Sequence, residues 1–283
     1  MKTLITGASG FLGRNFLNTR LADEVHTLSR IPIPNLDFEL QGHIGDMTSS
    51  RTLHNLANLR FDRVIHLAWS GLPDLSPENN EKNLLASKRF FTTMIDSGVQ
   101  EIITIGSCLE YGGLTGCIRE DISGYDINHF GLAKLELLDF LKRQAIDYYW
   151  VRLFYAFGPY QHPNSLLNRG LDSQAQGQIL ELREPNAAKD FVYAKDVTRA
   201  IEMLIASPAD SGVYNVGSGT LTSPAMMLKY LLEATPREPD LQESKLIGLK
   251  ADLGKIKSAC GWQPEYSSKK GVDAFKLWIS KNA

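Results

Sequence analysis

A glycine-rich turn directly after a short apolar run is the feature that most constrains this chain. Residues 6–13 read Thr-Gly-Ala-Ser-Gly-Phe-Leu-Gly. Gly7 can take backbone angles that a side chain forbids, Gly10 lets the chain approach a pyrophosphate, and Gly13 lets the following helix pack close to the strand. Free N–H groups at the helix start favour the phosphates. An ordinary glycine turn is the alternative, but the strand before it and the helix after it indicate a dinucleotide site.

Strand-like and helix-like segments alternate through the first half of the chain. The predicted strands lie at 4–5, 24–29, just before Gly45, 64–68, 102–105 and 148–154, and the predicted helices at 11–20, 78–97 and 130–144. This alternation predicts an α/β fold, a doubly wound parallel sheet (Rossmann) with helices on both faces. We interpret the less regular remainder as a smaller C-terminal substrate lobe. The predicted domains are therefore 1–158 and 159–283, with about 190–217 returning to the sheet.

Composition narrows the classes of function. The 283 residues are 43% hydrophobic and 22% charged, which is typical of a soluble globular protein. The net charge of −2 gives no reason to expect nucleic acid or membrane binding. The first strand begins at once and leaves no room for a signal peptide, and three scattered cysteines suit a reducing compartment, so we expect a cytoplasmic protein. The six histidines lack metal-ligand spacing, so we expect no metal site.

The residues after the second strand bear on the choice of cofactor. An NAD site usually has an acidic residue there, whereas this chain has Ser29 and Arg30. A carboxylate would repel a 2′-phosphate, while a serine and a guanidinium would hold one, and Arg14 would add positive charge. We therefore expect NADP, with NAD as the second choice. Asp46, after the third strand, would accept from the adenine amino group. The alternatives are a solvated Arg30 and a turn role for Asp46.

Seven segments, in the same order, resemble the extended short-chain dehydrogenase/reductases, the family of nucleotide-sugar epimerases, dehydratases and 4-ketoreductases. They are Thr6–Gly13, Asp46, His66–Ala68, Gly106–Gly112, Arg152–Pro159, Lys189–Val197 and Leu253–Pro264. The resemblance covers almost the whole chain. It implies a cofactor site at Gly7, Ser9, Gly10, Phe11, Leu12, Arg30, Asp46, Met47, Leu67, Ala68, Lys134 and Phe154.

The resemblance also implies the catalytic residues. In this family a tyrosine and a lysine four residues apart exchange a proton with the sugar oxygen while hydride moves to or from the nicotinamide, and a serine or threonine hydroxyl assists. Ser107 and Lys134 match the hydroxyl and lysine positions, but Phe130 stands where the tyrosine is expected. Phenylalanine has no ionisable proton. Either this phenylalanine was introduced, or the chain does not turn over, or another group supplies the proton, namely Tyr125, Tyr111, Cys108 or a water chain.

The expected substrate-binding residues are Trp69, Cys108, Tyr155, Arg183 and Lys189. Family members commonly hold a substrate diphosphate with two arginines; here Lys189 takes one position and Gln242 falls near the other, with Arg183, Arg237 and Lys245 as compensating charges. Glu110 is one residue out of register for a dehydratase acid and is interpreted as structural.

The sequence thus predicts an NADP-dependent ketoreductase acting on a nucleotide-linked 4-keto-deoxy sugar in deoxysugar biosynthesis. A sugar-nucleotide epimerase with tightly held NAD and a non-catalytic NADP(H) or ligand sensor are the alternatives. The helices predicted at 78–97 and 130–144 form a dimer-making bundle in many relatives. The apolar stripe of Leu84, Phe91 and Ile95 therefore suggests a homodimer, although these residues suit packing against the sheet equally well.

Overall fold

The computed structural model describes residues 1–17, 19, 24–33, 40–185, 187–232 and 246–282. The strands of the described residues are β1 (Lys2–Thr6), β2 (Glu24–Ser29), β3 (Gln41–Ile44), β4 (Arg63–His66), β5 (Glu101–Ser107), β6 (Gly116–Ile118), β7 (Asp147–Leu153), β8 (Tyr155–Phe157), β9 (Ala188–Lys189), β10 (Phe191–Tyr193), β11 (Gly212–Val216) and β12 (Gly248–Ala251). The helices are α1 (Phe11–Leu17), α2 (Ser50–Ala57), α3 (Pro77–Asp96), α4 (His129–Lys142), α5 (Leu166–Ala175), α6 (Ala194–Ala206), α7 (Pro224–Leu232), α8 (Gly254–Cys260) and α9 (Ser268–Asn282), with a 3₁₀ turn at Cys108–Tyr111.

Seven strands form one parallel sheet in the order β11-β7-β5-β4-β1-β2-β3. Successive residues of a strand point to opposite faces of a sheet, and here both faces are buried. Leu4, for example, packs with α2, α3 and α4, whereas Ile5 packs with α1, α6 and α8. The predicted doubly wound α/β sheet is confirmed.

The chain order reverses between β1 and β4, which are neighbours at the centre of the sheet. In open parallel sheets a ligand crevice lies outside the carboxyl ends of the strands at such a point. The segments after β1, β2, β3 and β4 therefore meet at one edge of the sheet, where the glycine turn, Arg30, Asp46 and residues 67–69 follow those strands.

The remaining elements build a second layer beside this edge. Two small parallel sheets lie in this layer. The sheet β10-β8 packs in a separate apolar cluster that includes Phe157, Leu228 and Phe275, and the sheet β6-β12-β9 packs in another that includes Ile118 and Ala251. The chain nevertheless returns to the large sheet, because β11 pairs with β7. The boundary at residues 158 and 159 stays a prediction. Across the described ranges, no helix combines the length and the apolar character that crossing a bilayer requires.

Candidate active site

A cavity of about 330 Å³ opens at the carboxyl edge of β1, β2, β3 and β4. It brings together most residues of the predicted cofactor site, including Gly7, Ser9, Gly10, Arg30, Asp46, Met47, Leu67 and Ala68. Phe11 and Leu12 continue from the same turn into α1. Phe154 and Lys134 do not border this cavity: Phe154 is buried beside Tyr111 and Ala251, and Lys134 is buried behind Trp69.

The glycine turn leaves space for a nucleotide, and side chains at the glycine positions would clash with the neighbouring backbone. Gly7 has a φ of +69°, and a Cβ built there would lie 2.6 Å from the Ala68 nitrogen. A Cβ at Gly13 would lie 2.2 Å from the Gly7 oxygen, so only glycine lets α1 pack this closely on the turn. The residues present therefore fit a nicotinamide dinucleotide, whose chemistry is the transfer of hydride. They would hold its pyrophosphate at the turn.

The adenosine end of this cavity carries no carboxylate at the end of β2. Ser29 donates its hydroxyl to the Ile31 oxygen at 2.5 Å, and the Arg30 guanidinium lies 3.4 Å from the Ser70 hydroxyl at the cavity wall. Asp46 accepts from the Thr48 hydroxyl and backbone N–H at 2.7 and 2.8 Å, and these bonds, with the charge of Arg30, lower the pKa of its carboxyl. Arg14 stacks on Tyr160, 3.8 Å from the ring centroid, so its cation is already engaged.

A second cavity of about 820 Å³ lies between the sheet edge and the C-terminal layer. It brings together four residues of the predicted active site, namely Phe130, Tyr155, Arg183 and Lys189. Much of its wall is apolar, with Leu72, Pro73, Leu75, Leu109, Phe157, Leu182, Phe191 and Met227 among the bordering residues. Gln161 and Ser165 border it too, and neither the Gln161 Nε2 nor the Ser165 Oγ, both buried, has a hydrogen-bond partner in the described part of the chain.

Trp69 joins the two cavities. It borders the cofactor cavity, and its ring meets the Phe130 ring edge-on at 5.6 Å between centroids. Trp69 was predicted on the substrate side, and the structure places it at this junction. Its indole N–H donates to the Asn80 side chain at 3.3 Å, which fixes the ring against the start of α3.

The three residues at the predicted catalytic positions, Ser107, Phe130 and Lys134, are carried by β5 and α4. Ser107 ends β5, and its hydroxyl accepts from the Leu109 N–H at 3.1 Å. Phe130 and Lys134 are one helical turn apart on the buried face of α4. The Lys134 ammonium donates to the Ile105 oxygen at 2.8 Å and lies 3.7 Å from the centre of the Trp69 ring. Burial lowers the pKa of Lys134 to about 7.

Cys108 and Tyr155 pack in the same apolar cluster, but of the two only Tyr155 borders the second cavity. Cys108 is buried with Tyr111, Phe154 and Ala251 and does not border the cavity, and burial raises the pKa of its thiol to about 12. The Tyr155 side chain is partly exposed to the cavity, and the Lys189 ammonium lies 4.6 Å from the centre of its ring.

Glu110 is part of a buried structural network, as its register indicated. Its carboxylate accepts from the Ser107 N–H at 2.7 Å, from the Trp150 indole at 3.0 Å and from the Arg152 guanidinium at 2.6 Å. Tyr111 is held in the same region, because its hydroxyl donates to the Asn215 side chain at 2.8 Å. These bonds fix the turn that carries Ser107.

Other predicted residues lie elsewhere. Gln242, Arg237 and Lys245 lie outside the described residues. Conversely, sequence reasoning missed Asn79 and Asn83, which border the cofactor cavity and hold the Ser70 backbone through side-chain hydrogen bonds of 2.7–3.1 Å. Asn79 and Asn83 are four residues apart in α3 and therefore share one helix face, which is the sequence signal that could have indicated them. Among the described residues, no group of three or more histidine, cysteine, aspartate or glutamate side chains is arranged to hold a metal.

The site and fold agree with the comparisons to known proteins. The model of the NAD dependent epimerase/dehydratase family matches residues 3–217. The low-salt glycan biosynthesis protein Agl12 of Haloferax volcanii is 24% identical over 304 residues, covering 97% of each chain. The dTDP-6-deoxy-L-talose 4-dehydrogenase (NAD(+)) of Aggregatibacter actinomycetemcomitans is 27% identical over 237 residues, covering 77% of this chain and 85% of that protein. The solved structure of MoeE5 with UDP-glucuronic acid and NAD is 26% identical, covers 100% of both chains and superposes with a TM-score of 0.83.

A doubly wound sheet with a glycine cradle at its switch point defines the class as a dinucleotide-binding α/β protein. This chain belongs to the NAD dependent epimerase/dehydratase family. The predicted resemblance to the extended short-chain dehydrogenase/reductases is thereby confirmed.

Proposed function

We propose that the protein is an NADP-dependent ketoreductase that reduces a nucleotide-linked 4-keto-deoxy sugar in the cytoplasm. One observation carries the proposal: the cofactor cavity meets, at Trp69, a second cavity suited to an anionic, partly apolar ligand. That cavity offers two cations, Arg183 and Lys189, and two buried donors, on Gln161 and Ser165, that have no partner among the described residues. Unpaired buried donors are costly, so a ligand rich in oxygen would stabilise them.

Phosphate oxygens of a nucleotide diphosphate suit the Arg183 guanidinium and these two donors. The apolar wall suits a sugar carbon that has lost its hydroxyl, because burying an unpaired hydroxyl against leucine and phenylalanine costs free energy. Names of relatives support the same class, since one is a dehydrogenase of dTDP-6-deoxy-L-talose.

In this proposal the Ser107 hydroxyl forms a hydrogen bond to the ketone oxygen and polarises it, and Lys134 holds the nicotinamide ribose. To do so, Lys134 would turn its ammonium away from the Trp69 indole, which separates it from the cofactor cavity, and toward that ribose. Cys108 would shape the floor beneath the sugar. Phe130 would pack against the sugar and the cofactor.

The choice of NADP over NAD is supported by Ser29 and Arg30, because these two residues, and not a carboxylate, stand at the end of β2 and border the cavity there. Calorimetric titration tests it. We expect NADPH to bind about tenfold more tightly than NADH, and Arg30→Ala to remove that difference without weakening NADH. Arg143→Ala, an exposed arginine at the end of α4, is the matched control.

The function itself is tested by following the oxidation of NADPH with a panel of nucleotide-linked 4-keto-deoxy sugars. Turnover with one of them, and its dependence on Ser107, is the expected result. Binding without turnover across the panel would instead favour the sensor alternative, which Phe130 supports.

An epimerase with tightly held NAD is the second candidate, and the solved structure of MoeE5 with NAD favours its cofactor. Purification separates the two. If NAD co-elutes with the protein and the protein does not oxidise NADPH, the epimerase function is favoured over the ketoreductase function.

We further propose a homodimer through α3 and α4. The residues of the predicted stripe lie inward, since Leu84 and Phe91 are in the core, but Leu85 and Leu132 on the outer faces are 59% and 49% exposed. Light scattering of the purified protein gives the mass that decides this.

A further inference from the structure

Phe130 leaves the substrate cavity without a phenol at the position where the family resemblance places one. Among the described residues that border this cavity, Tyr155 is the one that carries a phenol. It begins β8, and it shares the cavity wall with Phe130 and Leu109. Its hydroxyl has no protein hydrogen-bond partner within the described ranges, so its proton is available to a ligand.

A cation accompanies this phenol. The Lys189 ammonium lies 4.6 Å from the centre of the Tyr155 ring. A neighbouring positive charge stabilises the phenolate that forms when a phenol gives up its proton. In the family pattern a phenol at position 130 and the ammonium of Lys134 both belong to α4. Here Tyr155 of β8 supplies a phenol, and Lys189 of β9 supplies an ammonium.

The location of Tyr155 also suits a ketone held by Ser107. Tyr155 packs against the buried cluster that contains Cys108, the residue that follows Ser107. Tyr155 therefore lies near the end of β5, and it borders the cavity together with Leu109. Burial raises the pKa of Tyr155 above its usual value, which keeps the phenol protonated before reaction.

Other candidate donors are engaged elsewhere. The Tyr111 hydroxyl is bonded to Asn215, and the Tyr125 hydroxyl donates to the Gly113 oxygen at 3.1 Å on a side chain that is 60% exposed. Cys108 does not border the cavity. The Lys134 ammonium donates to Ile105 and is covered by Trp69.

We propose that Tyr155, paired with Lys189, is the proton donor of this protein in place of the phenol missing at Phe130. The proposal rests on the ketoreductase function. A reduced nicotinamide dinucleotide supplies the hydride and is itself oxidised. The carbonyl carbon gains that hydride, the π electron pair passes to the carbonyl oxygen, and the O–H bond of Tyr155 breaks as the new alcohol O–H bond forms. Lys189 stabilises the phenolate until water restores its proton.

The first test compares Tyr155→Phe with Tyr125→Phe, a matched loss of one phenol outside the cavity. We expect Tyr155→Phe to lower kcat by about a hundred- to ten-thousandfold. The affinity for the nucleotide sugar should stay within about threefold, and Tyr125→Phe should match the wild type. A Tyr155→Phe protein as fast as the wild type would overturn the assignment.

A second measurement needs no turnover. Calorimetry compares binding of a nucleotide sugar that carries a 4-hydroxyl with its 4-deoxy analogue. We expect the wild type to prefer the 4-hydroxyl by about tenfold, and Tyr155→Phe to lose this preference, because the phenol contacts that oxygen. An unchanged preference would assign Tyr155 a role in cavity shape alone.

A third variant relocates the donor. Adding Phe130→Tyr to Tyr155→Phe should recover turnover, since a phenol then stands one helical turn from Lys134. The failures are distinguishable: a wild type that binds but reduces no 4-keto sugar overturns the ketoreductase function, whereas an active wild type with an equally active Tyr155→Phe overturns only the role of Tyr155.

Discussion

Lys134 illustrates how one buried charge makes the stability of a protein depend on pH. Its ammonium is removed from water and held by one carbonyl oxygen and one indole face. Burial therefore lowers the pKa of Lys134 to about 7, well below its value of 10.5 in an unfolded chain. Between these values the unfolded chain binds more protons than the folded protein, so the free energy of unfolding must rise with pH.

This linkage gives a prediction for Lys134→Met. From pH 7 to pH 9 we expect the free energy of unfolding of the wild type to rise by about 2 kcal/mol relative to that of Lys134→Met. Urea unfolding of the protein without cofactor at a series of pH values measures the difference. Lys142→Met, at an exposed lysine of the same helix, should run parallel to the wild type. Parallel curves for Lys134→Met and the wild type would contradict the lowered pKa.

At the scale of elements, the sequence predicted those parts whose signal is local. The predicted β2 has the same bounds in the structure, because its last four residues are buried and the strand ends at the exposed Arg30. Helix α2 was missed, since eight residues with two buried leucines give too short a pattern. Tyr155 and Lys189 belong to two different small sheets, so their spacing in the sequence does not predict that they are in contact.

Packing of α1 on the turn after β1 depends on Gly13. A Cβ there would overlap the Gly7 oxygen, a backbone atom that cannot move without opening the cradle. We therefore expect Gly13→Ala to lower the free energy of unfolding by about 1–3 kcal/mol and to abolish measurable cofactor binding. Gly42→Ala is the control, because its Cβ would meet only Thr27 at 3.9 Å. Full cofactor affinity in Gly13→Ala would refute the close approach.

At the scale of the whole molecule, Asp190 ties the C-terminal layer to the large sheet. This carboxylate is fully buried and accepts from the Ser218 N–H and hydroxyl at 2.5 and 2.7 Å, and from the Gly219 and Ala251 N–H groups at 3.0 Å. The bonds join the segment between β9 and β10 to the loop after β11 and to β12. The two regions that form the substrate cavity are thereby held in one arrangement.

Replacing this acceptor tests the connection. Asp190→Asn puts an amide NH₂ where N–H groups converge, so we expect the free energy of unfolding to fall by about 2–4 kcal/mol. Denaturant unfolding measures it, with Asp210→Asn at an exposed position as the neutral comparison. If both variants unfolded at the same midpoint, Asp190 would not hold the layers together. The sequence placed Asp190 in a family motif but gave no sign of these partners, which lie 28–61 residues away.

Trp69 gives the molecule an optical reporter of its own. The indole touches the wall of one cavity and an aromatic ring of the other, while Trp150 and Trp262 are fully enclosed in the interior. The partly exposed Trp278 borders neither cavity, so a change in tryptophan emission when a cavity fills should come from Trp69, and binding can be followed in real time without attaching a dye.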